Sequence, residues 1–108
     1  MSKVMDELYQ VVLDRRANPT EGSYTCYLFQ QGLDKILKKC GEEATEVIIA
    51  AKNGNKDELN AEIGDLIYHL LVLMAEVGLS PEELYALLEE RRKKIGNLKP
   101  KKESMKES

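Results

Sequence analysis

Apolar residues recur along this chain at intervals of three or four positions and almost nowhere alternate singly. That rhythm is the mark of helices buried on one side, so an all-α chain is expected. Val4, Leu8, Val11 and Val12 make the stripe of a short first helix, which fades at Arg15-Arg16-Ala17-Asn18-Pro19. Thr20-Glu21-Gly22-Ser23-Tyr24-Thr25 reads as a loop, from its glycine and small polar residues. A second helix carries Leu33, Ile36, Leu37, Cys40, Ala44, Val47, Ile48 and Ala51, and stops at Asn53-Gly54. Asn55, with Glu58 three positions on, predicts the cap of a third helix. Its stripe is Leu59, Ile63, Leu66, Leu70, Leu73 and Val77, and Gly78 ends it. Ser80-Pro81-Glu82-Glu83 then opens a fourth helix, with proline at the first helical position and acids in the first turn. It passes Leu84 and Leu88 to Ile95 and stops at Gly96.

The Asn53-Gly54-Asn55 connection is short enough to fold the second and third helices into an antiparallel hairpin. Ile49 lies opposite the stripe of the second helix, and Tyr68, Leu71 and Val72 lie away from the stripe of the third. A helix apolar nearly all round is expected to be buried on most sides, which in a chain of 108 residues asks for a partner subunit. The expected fold is therefore an all-α, four- to five-helix bundle with an antiparallel hairpin core, completed by homodimerisation. One domain is expected over residues 1–97, followed by a charged, aperiodic and disordered tail over 98–108.

Composition narrows the function. The net charge is -3 with 32% charged residues, so the chain as a whole has no attraction for nucleic acid. The basic tail residues Lys99, Lys101 and Lys102 are diluted by Glu103 and Glu107 and have no interleaved aromatics. Residues 1–7 lack the apolar run of a signal peptide, and Leu66 to Val77 is too short to span a bilayer. No membrane partner and a cytoplasmic location are expected. Cys26 and Cys40 match no metal or redox spacing, and Cys40 is expected to be a reduced core thiol.

The chemistry lies in two acidic motifs. Glu42-Glu43-Ala44-Thr45-Glu46 is on the second helix and Glu62-Ile63-Gly64-Asp65 on the third. Measured from the apolar stripe at about 100° per residue, Glu43 and Glu46 fall roughly 80° and 140° to one side, with Lys39 between them. Glu42 falls at about 180°, nearly opposite the stripe. On the third helix Glu62, His69 and Asp65 fall roughly 60°, 80° and 120° to one side. The hairpin can bring these flanks over one cleft. Carboxylates gathered there repel unless a cation lies between them, and all-oxygen donors suit Mg²⁺ or Mn²⁺. Glu43, Glu46, Glu62 and Asp65 are the expected ligands, with Glu42 at the periphery.

The residues resemble a family. Glu-Glu-x-x-Glu followed by Glu-x-x-Asp on the next helix is similar to the signature of the all-α, MazG-type nucleotide pyrophosphohydrolases. Within that superfamily the chain most resembles the phosphoribosyl-ATP pyrophosphohydrolases of histidine biosynthesis. The likeness is carried by Glu21-Gly22-Ser23-Tyr24-Thr25 and by Gly32-Leu33-Asp34-Lys35-Ile36-Leu37-Lys38-Lys39 running into Gly41-Glu42-Glu43-Ala44-Thr45-Glu46. Ala50-Ala51-Lys52-Asn53 and Glu62 through Leu71 continue it, so that it spans residues 4–96. Some relatives carry a fused cyclohydrolase domain, for which this chain is too short.

The resemblance implies Mg²⁺-dependent hydrolysis of 1-(5-phosphoribosyl)-ATP to 1-(5-phosphoribosyl)-AMP and pyrophosphate. Glu42 or Glu46 would orient or deprotonate the attacking water, with attack at the α- or the β-phosphorus both open. Lys39 is the first candidate for the leaving-group charge, followed by Lys38, Lys52, Arg91 and Arg92. Ser23, Tyr24 and Thr25 are candidates to hold a phosphate or a ribose, and His69 to touch substrate or support those that do. Two rival functions stay open: a housecleaning hydrolase of free nucleoside triphosphates, and a non-enzymatic helical dimerisation module. A di-iron carboxylate bundle is excluded, because it needs Glu-x-x-His on two helices and the chain has one histidine.

Overall fold

In a computed structural model, described from Lys3 to Asn97, the chain forms five α-helices and no strand among the described residues. They are α1 (Lys3–Ala17), α2 (Tyr24–Gln31), α3 (Leu33–Lys52), α4 (Lys56–Val77) and α5 (Pro81–Asn97). The expected tail, 98–108, lies outside the described residues.

The punctuation follows the local chemistry. Asn55 caps α4, its side-chain oxygen accepting from the Glu58 N–H at 3.0 Å. Gly78 ends that helix at φ +80°, a left-handed conformation in which a side chain would be strained. Ser80 and Glu83 close a capping box around Pro81: the Ser80 N–H donates to the Glu83 carboxylate at 3.0 Å, and the Glu83 N–H donates back to the Ser80 hydroxyl at 3.3 Å. The last helix continues through Gly96 to Asn97, slightly beyond its expected stop.

The predicted loop is corrected at its end. Tyr24 and Thr25 open α2, whose N-cap is Ser23; its side chain accepts from the Cys26 N–H at 3.2 Å. A helix of eight residues shows too few turns for periodicity to reveal it. Gly32, at φ +91°, breaks the chain between α2 and α3.

A second correction concerns which faces are buried. The stripe expected to face the core of α4 is partly open in the single chain, with Ile63, Leu70 and Val77 exposed. Instead α4 buries Leu71, Val72, Met74 and Ala75 within one chain. These side chains meet Tyr9 and Val12 of α1, Leu28 of α2 and Ile36 of α3. On α3, likewise, Ile36 and Ala50 are buried while Leu33, Leu37, Ile48 and Ile49 are exposed. Both helices carry two apolar faces, and a pattern cannot say which face meets the chain's own α1 and α2. Cys40 is half-buried against the core and its thiol is free, with burial raising its pKa.

The hairpin of α3 and α4 is the most extensive helix pairing, and α1 and α2 lie across it. Two polar ties fix α1 to the end of α4: the Tyr9 hydroxyl donates to the Leu79 carbonyl at 3.0 Å, and Arg16 donates to the Ala75 carbonyl at 2.6 Å. No single helix among the described residues is long and apolar enough to cross a membrane. Leu71→Ala should destabilise the fold by about 2–5 kcal/mol, read from urea unfolding, because this wholly buried side chain joins α4 to the core.

Candidate metal centre

The hairpin brings three acids together across its two arms. One carboxylate oxygen from each of Glu43, Glu62 and Asp65 lies within 4.8 Å of the others. Glu43 and Glu62 are half-buried and Asp65 is exposed, so the group lies at the edge of the hairpin. Glu46, expected as a fourth ligand, lies outside that group, although its charge is felt at Glu62. Glu42 points elsewhere and pairs with Lys39 at 3.2 Å.

The group has the electrostatics of a cation site. The Glu62 carboxyl is raised above the usual carboxylate range, first by desolvation, then by its hydrogen bond to Glu43 and by the charges of Glu43, Asp65 and Glu46. A proton or a cation must relieve that repulsion. Hard oxygen donors in a half-buried edge site fit Mg²⁺ or Mn²⁺, which retain some of their water ligands. The Lys39 ammonium is held protonated by its bond to Glu42, with further help from the charge of Glu43.

The other predicted residues divide. His69 is not on an open acidic flank; its ring is buried, with Nδ1 2.7 Å from the Asp65 carbonyl oxygen and Nε2 2.9 Å from the Tyr24 hydroxyl. Thr25 shares a short hydrogen bond with the Tyr68 hydroxyl. Tyr24 packs against Tyr27, Tyr68 and His69. Thr20, Gly22, Ser23, Tyr24, Tyr27 and Gln30 line an open cavity of about 480 Å³. Lys38 and Lys52 are exposed on α3. Arg91 and Arg92 are exposed on α5, which packs against α1, and Arg92 is paired with Glu89.

Tyr68, Tyr27 and Gln30 were not singled out from sequence as site residues. The bond between Tyr68 and Thr25 joins positions 43 apart, which only the crossing of α2 over α4 creates. The one signal available beforehand was the density of tyrosines around the Ser23-Tyr24-Thr25 segment.

The fold is all-helical, and its hairpin brings acids from both arms to one point, as the resemblance to MazG-type hydrolases implied. The model of the phosphoribosyl-ATP pyrophosphohydrolase family matches residues 5–92. A phosphoribosyl-ATP pyrophosphatase of Clostridium novyi is 59% identical over 99 residues, covering 92% of this chain and 90% of that protein. One from Streptococcus thermophilus is 54% identical, covering 93% of this chain and 96% of that protein. The histidine biosynthesis bifunctional protein HisIE of Thermoanaerobacter pseudethanolicus is 62% identical over 84 residues, which make up 39% of its length. The chain belongs to the phosphoribosyl-ATP pyrophosphohydrolase family.

The raised Glu62 carboxyl has a testable sign. An acid that binds its proton more tightly when folded contributes stability that is present at low pH and lost as pH rises through the raised value. Metal-free protein should therefore lose stability from this site as pH rises from the ordinary carboxylate range through the raised Glu62 value, and Glu62→Gln should flatten that slope in thermal melts. Mg²⁺ at 100 times its Kd should restore about 2.7 kcal/mol to wild type and little to the variant.

Proposed function

We propose that this chain hydrolyses 1-(5-phosphoribosyl)-ATP to 1-(5-phosphoribosyl)-AMP and pyrophosphate, acting in histidine biosynthesis, in the cytoplasm and through its 1–97 domain. The observation that carries the reading is the meeting of Glu43, Glu62 and Asp65 at one point, in a chain of this family. The site's chemistry suits a polyphosphate substrate, because carboxylates and phosphates can share a cleft only across a divalent cation.

Glu43, Glu62 and Asp65 would hold Mg²⁺ or Mn²⁺, and Glu46, also expected as a ligand, would stand free of the ion. Bound there, the ion neutralises phosphate charge and acidifies water. Glu46 is the residue we assign to take the proton from the attacking water, since it stands outside the three-acid group while Glu42 is engaged by Lys39. Attack at the α-phosphorus would expel the β,γ-pyrophosphate. Lys39 would face that leaving charge, with Glu42 fixing the ammonium by its 3.2 Å contact. Lys38 and Lys52, exposed on the same helix, are secondary candidates for the phosphates. Arg91 and Arg92 stand on a different element and are the weakest.

The active form in this reading is a homodimer. Leu33, Leu37 and Ile48 on α3, and Ile63, Leu70 and Val77 on α4, leave an apolar surface open on the hairpin. A surface of that kind fits a second copy of the chain. Ile48→Asp should shift the mass measured by light scattering from dimer to monomer while keeping the helical circular dichroism. A wild-type monomer would remove the dimer from the reading.

Pyrophosphate release from phosphoribosyl-ATP should require Mg²⁺ or Mn²⁺ and should far exceed release from ATP, dCTP or dUTP. Glu43→Gln should lower kcat by at least about 100-fold, the scale of losing a group that acts in the transition state. Comparable rates on all four nucleotides would indicate a housecleaning hydrolase, and no metal-dependent release would leave a helical dimerisation module.

A further inference from the structure

His69 is the one buried polar residue among the described core, only 5% exposed. Its two ring nitrogens have different neighbours. Nδ1 faces the Asp65 carbonyl oxygen at 2.7 Å, and a carbonyl can only accept, so Nδ1 carries the proton. A neutral imidazole then keeps one acceptor, Nε2, which lies 2.9 Å from the Tyr24 hydroxyl. In that neutral form Tyr24 is the donor. The order runs from the Tyr24 O–H to Nε2, and from Nδ1–H to Asp65, and it commits the single proton that Tyr24 owns.

Tyr24 cannot easily turn away from this arrangement. Its ring stands edge-on to His69 at 5.6 Å, is tilted against Tyr68 at 6.2 Å and is stacked on Tyr27 at 6.1 Å. Rotating the hydroxyl proton outward would orphan a buried acceptor. Tyr24 as a residue is still 44% exposed and lines the open cavity at the start of α2, and towards a ligand there its oxygen offers lone pairs alone. The His69 ring joins this hydroxyl to the backbone of Asp65, which sets it on the side of the acidic site.

We propose that His69 is a positioning residue that holds Tyr24 as an acceptor-only oxygen beside the carboxylates, so that Tyr24 receives a ribose hydroxyl of the substrate and not a phosphate oxygen. The ribose half of this statement rests on the function proposed above. Phosphate oxygens of a metal-bound triphosphate carry no proton, and against Tyr24 they would set lone pair against lone pair. A ribose hydroxyl brings the proton that Tyr24 lacks. Of the two roles open to Tyr24 from sequence, phosphate or ribose, the hydrogen-bond order selects the second.

Two measurements test this. In nitrogen-15 NMR of the metal-free wild-type protein, His69 should be protonated at Nδ1 and bare at Nε2, and Tyr24→Phe should move the Nε2 resonance most. A proton on Nε2 would overturn the positioning role, whatever the enzyme acts on. In product inhibition, Tyr24→Phe should weaken inhibition by phosphoribosyl-AMP about ten-fold, the worth of one good hydrogen bond, and leave inhibition by pyrophosphate within about two-fold. His69→Ala should reproduce that split, and the double variant should lose no more than either single. His69→Gln, whose amide oxygen can take the hydroxyl proton, should recover most of the loss. Equal weakening towards pyrophosphate, or losses that multiply in the double variant, would overturn the proposal. A wild-type protein inert towards phosphoribosyl-ATP would remove the ribose assignment together with the function, and the NMR result would still decide the His69–Tyr24 pair.

Discussion

Everything distinctive in this molecule follows from holding three carboxylates closer than they would choose to be. Glu43, Glu62 and Asp65 come from both arms of one hairpin, and their oxygens gather within 4.8 Å. Like charges at such distances repel strongly where water is partly excluded. The Glu62 carboxyl is raised first by desolvation, and then by its bond to Glu43 and the charges around it. The hairpin must withstand the repulsion, and does so through the Asn53–Asn55 turn, the Asn55 cap and the apolar contacts beneath. In the function proposed above, a site kept in this condition would be ready for a divalent cation.

The remaining helices serve the hairpin. Helix α1 covers one face of α4 through Tyr9 and Val12 and is tied to its end by Tyr9 and Arg16. Helix α2 inserts Leu28 into the same core and carries Tyr24 and Thr25 onto α4, where they bond His69 and Tyr68. His69 also bonds the carbonyl of Asp65, so the buried ring links the backbone of an acidic residue to a tyrosine on another helix. Core packing and site geometry are thus joined at one side chain.

Much of this was legible in the sequence. The caps at Asn55 and Ser80, the stop at Gly78 and the short hairpin turn are local, and local chemistry determines them. The acidic motifs were legible because helical spacing alone places Glu62 and Asp65 on one flank. The wheel went astray where it needed a reference face. It took the stripe through Ile63, Leu70 and Val77 as the core, whereas α4 turns Leu71, Val72 and Ala75 to its own chain. It therefore left His69 beside Asp65 on an open flank, when the ring is in fact enclosed. Helix α2 escaped notice because Ser23 looks alike as a loop residue and as a cap. The contacts among Tyr24, Tyr68 and His69 depend on tertiary crossing, and no periodicity encodes them.

The central claim is that the strain among these carboxylates is relieved by a divalent metal ion at one defined point. Crystals grown with Mn²⁺ and measured at an X-ray wavelength where manganese scatters anomalously would test it most directly. An anomalous peak within coordination distance of Glu43, Glu62 and Asp65, lost in Glu62→Gln, is the expected result. A manganese site elsewhere, or none with these three acids ordered and unprotonated, would contradict it.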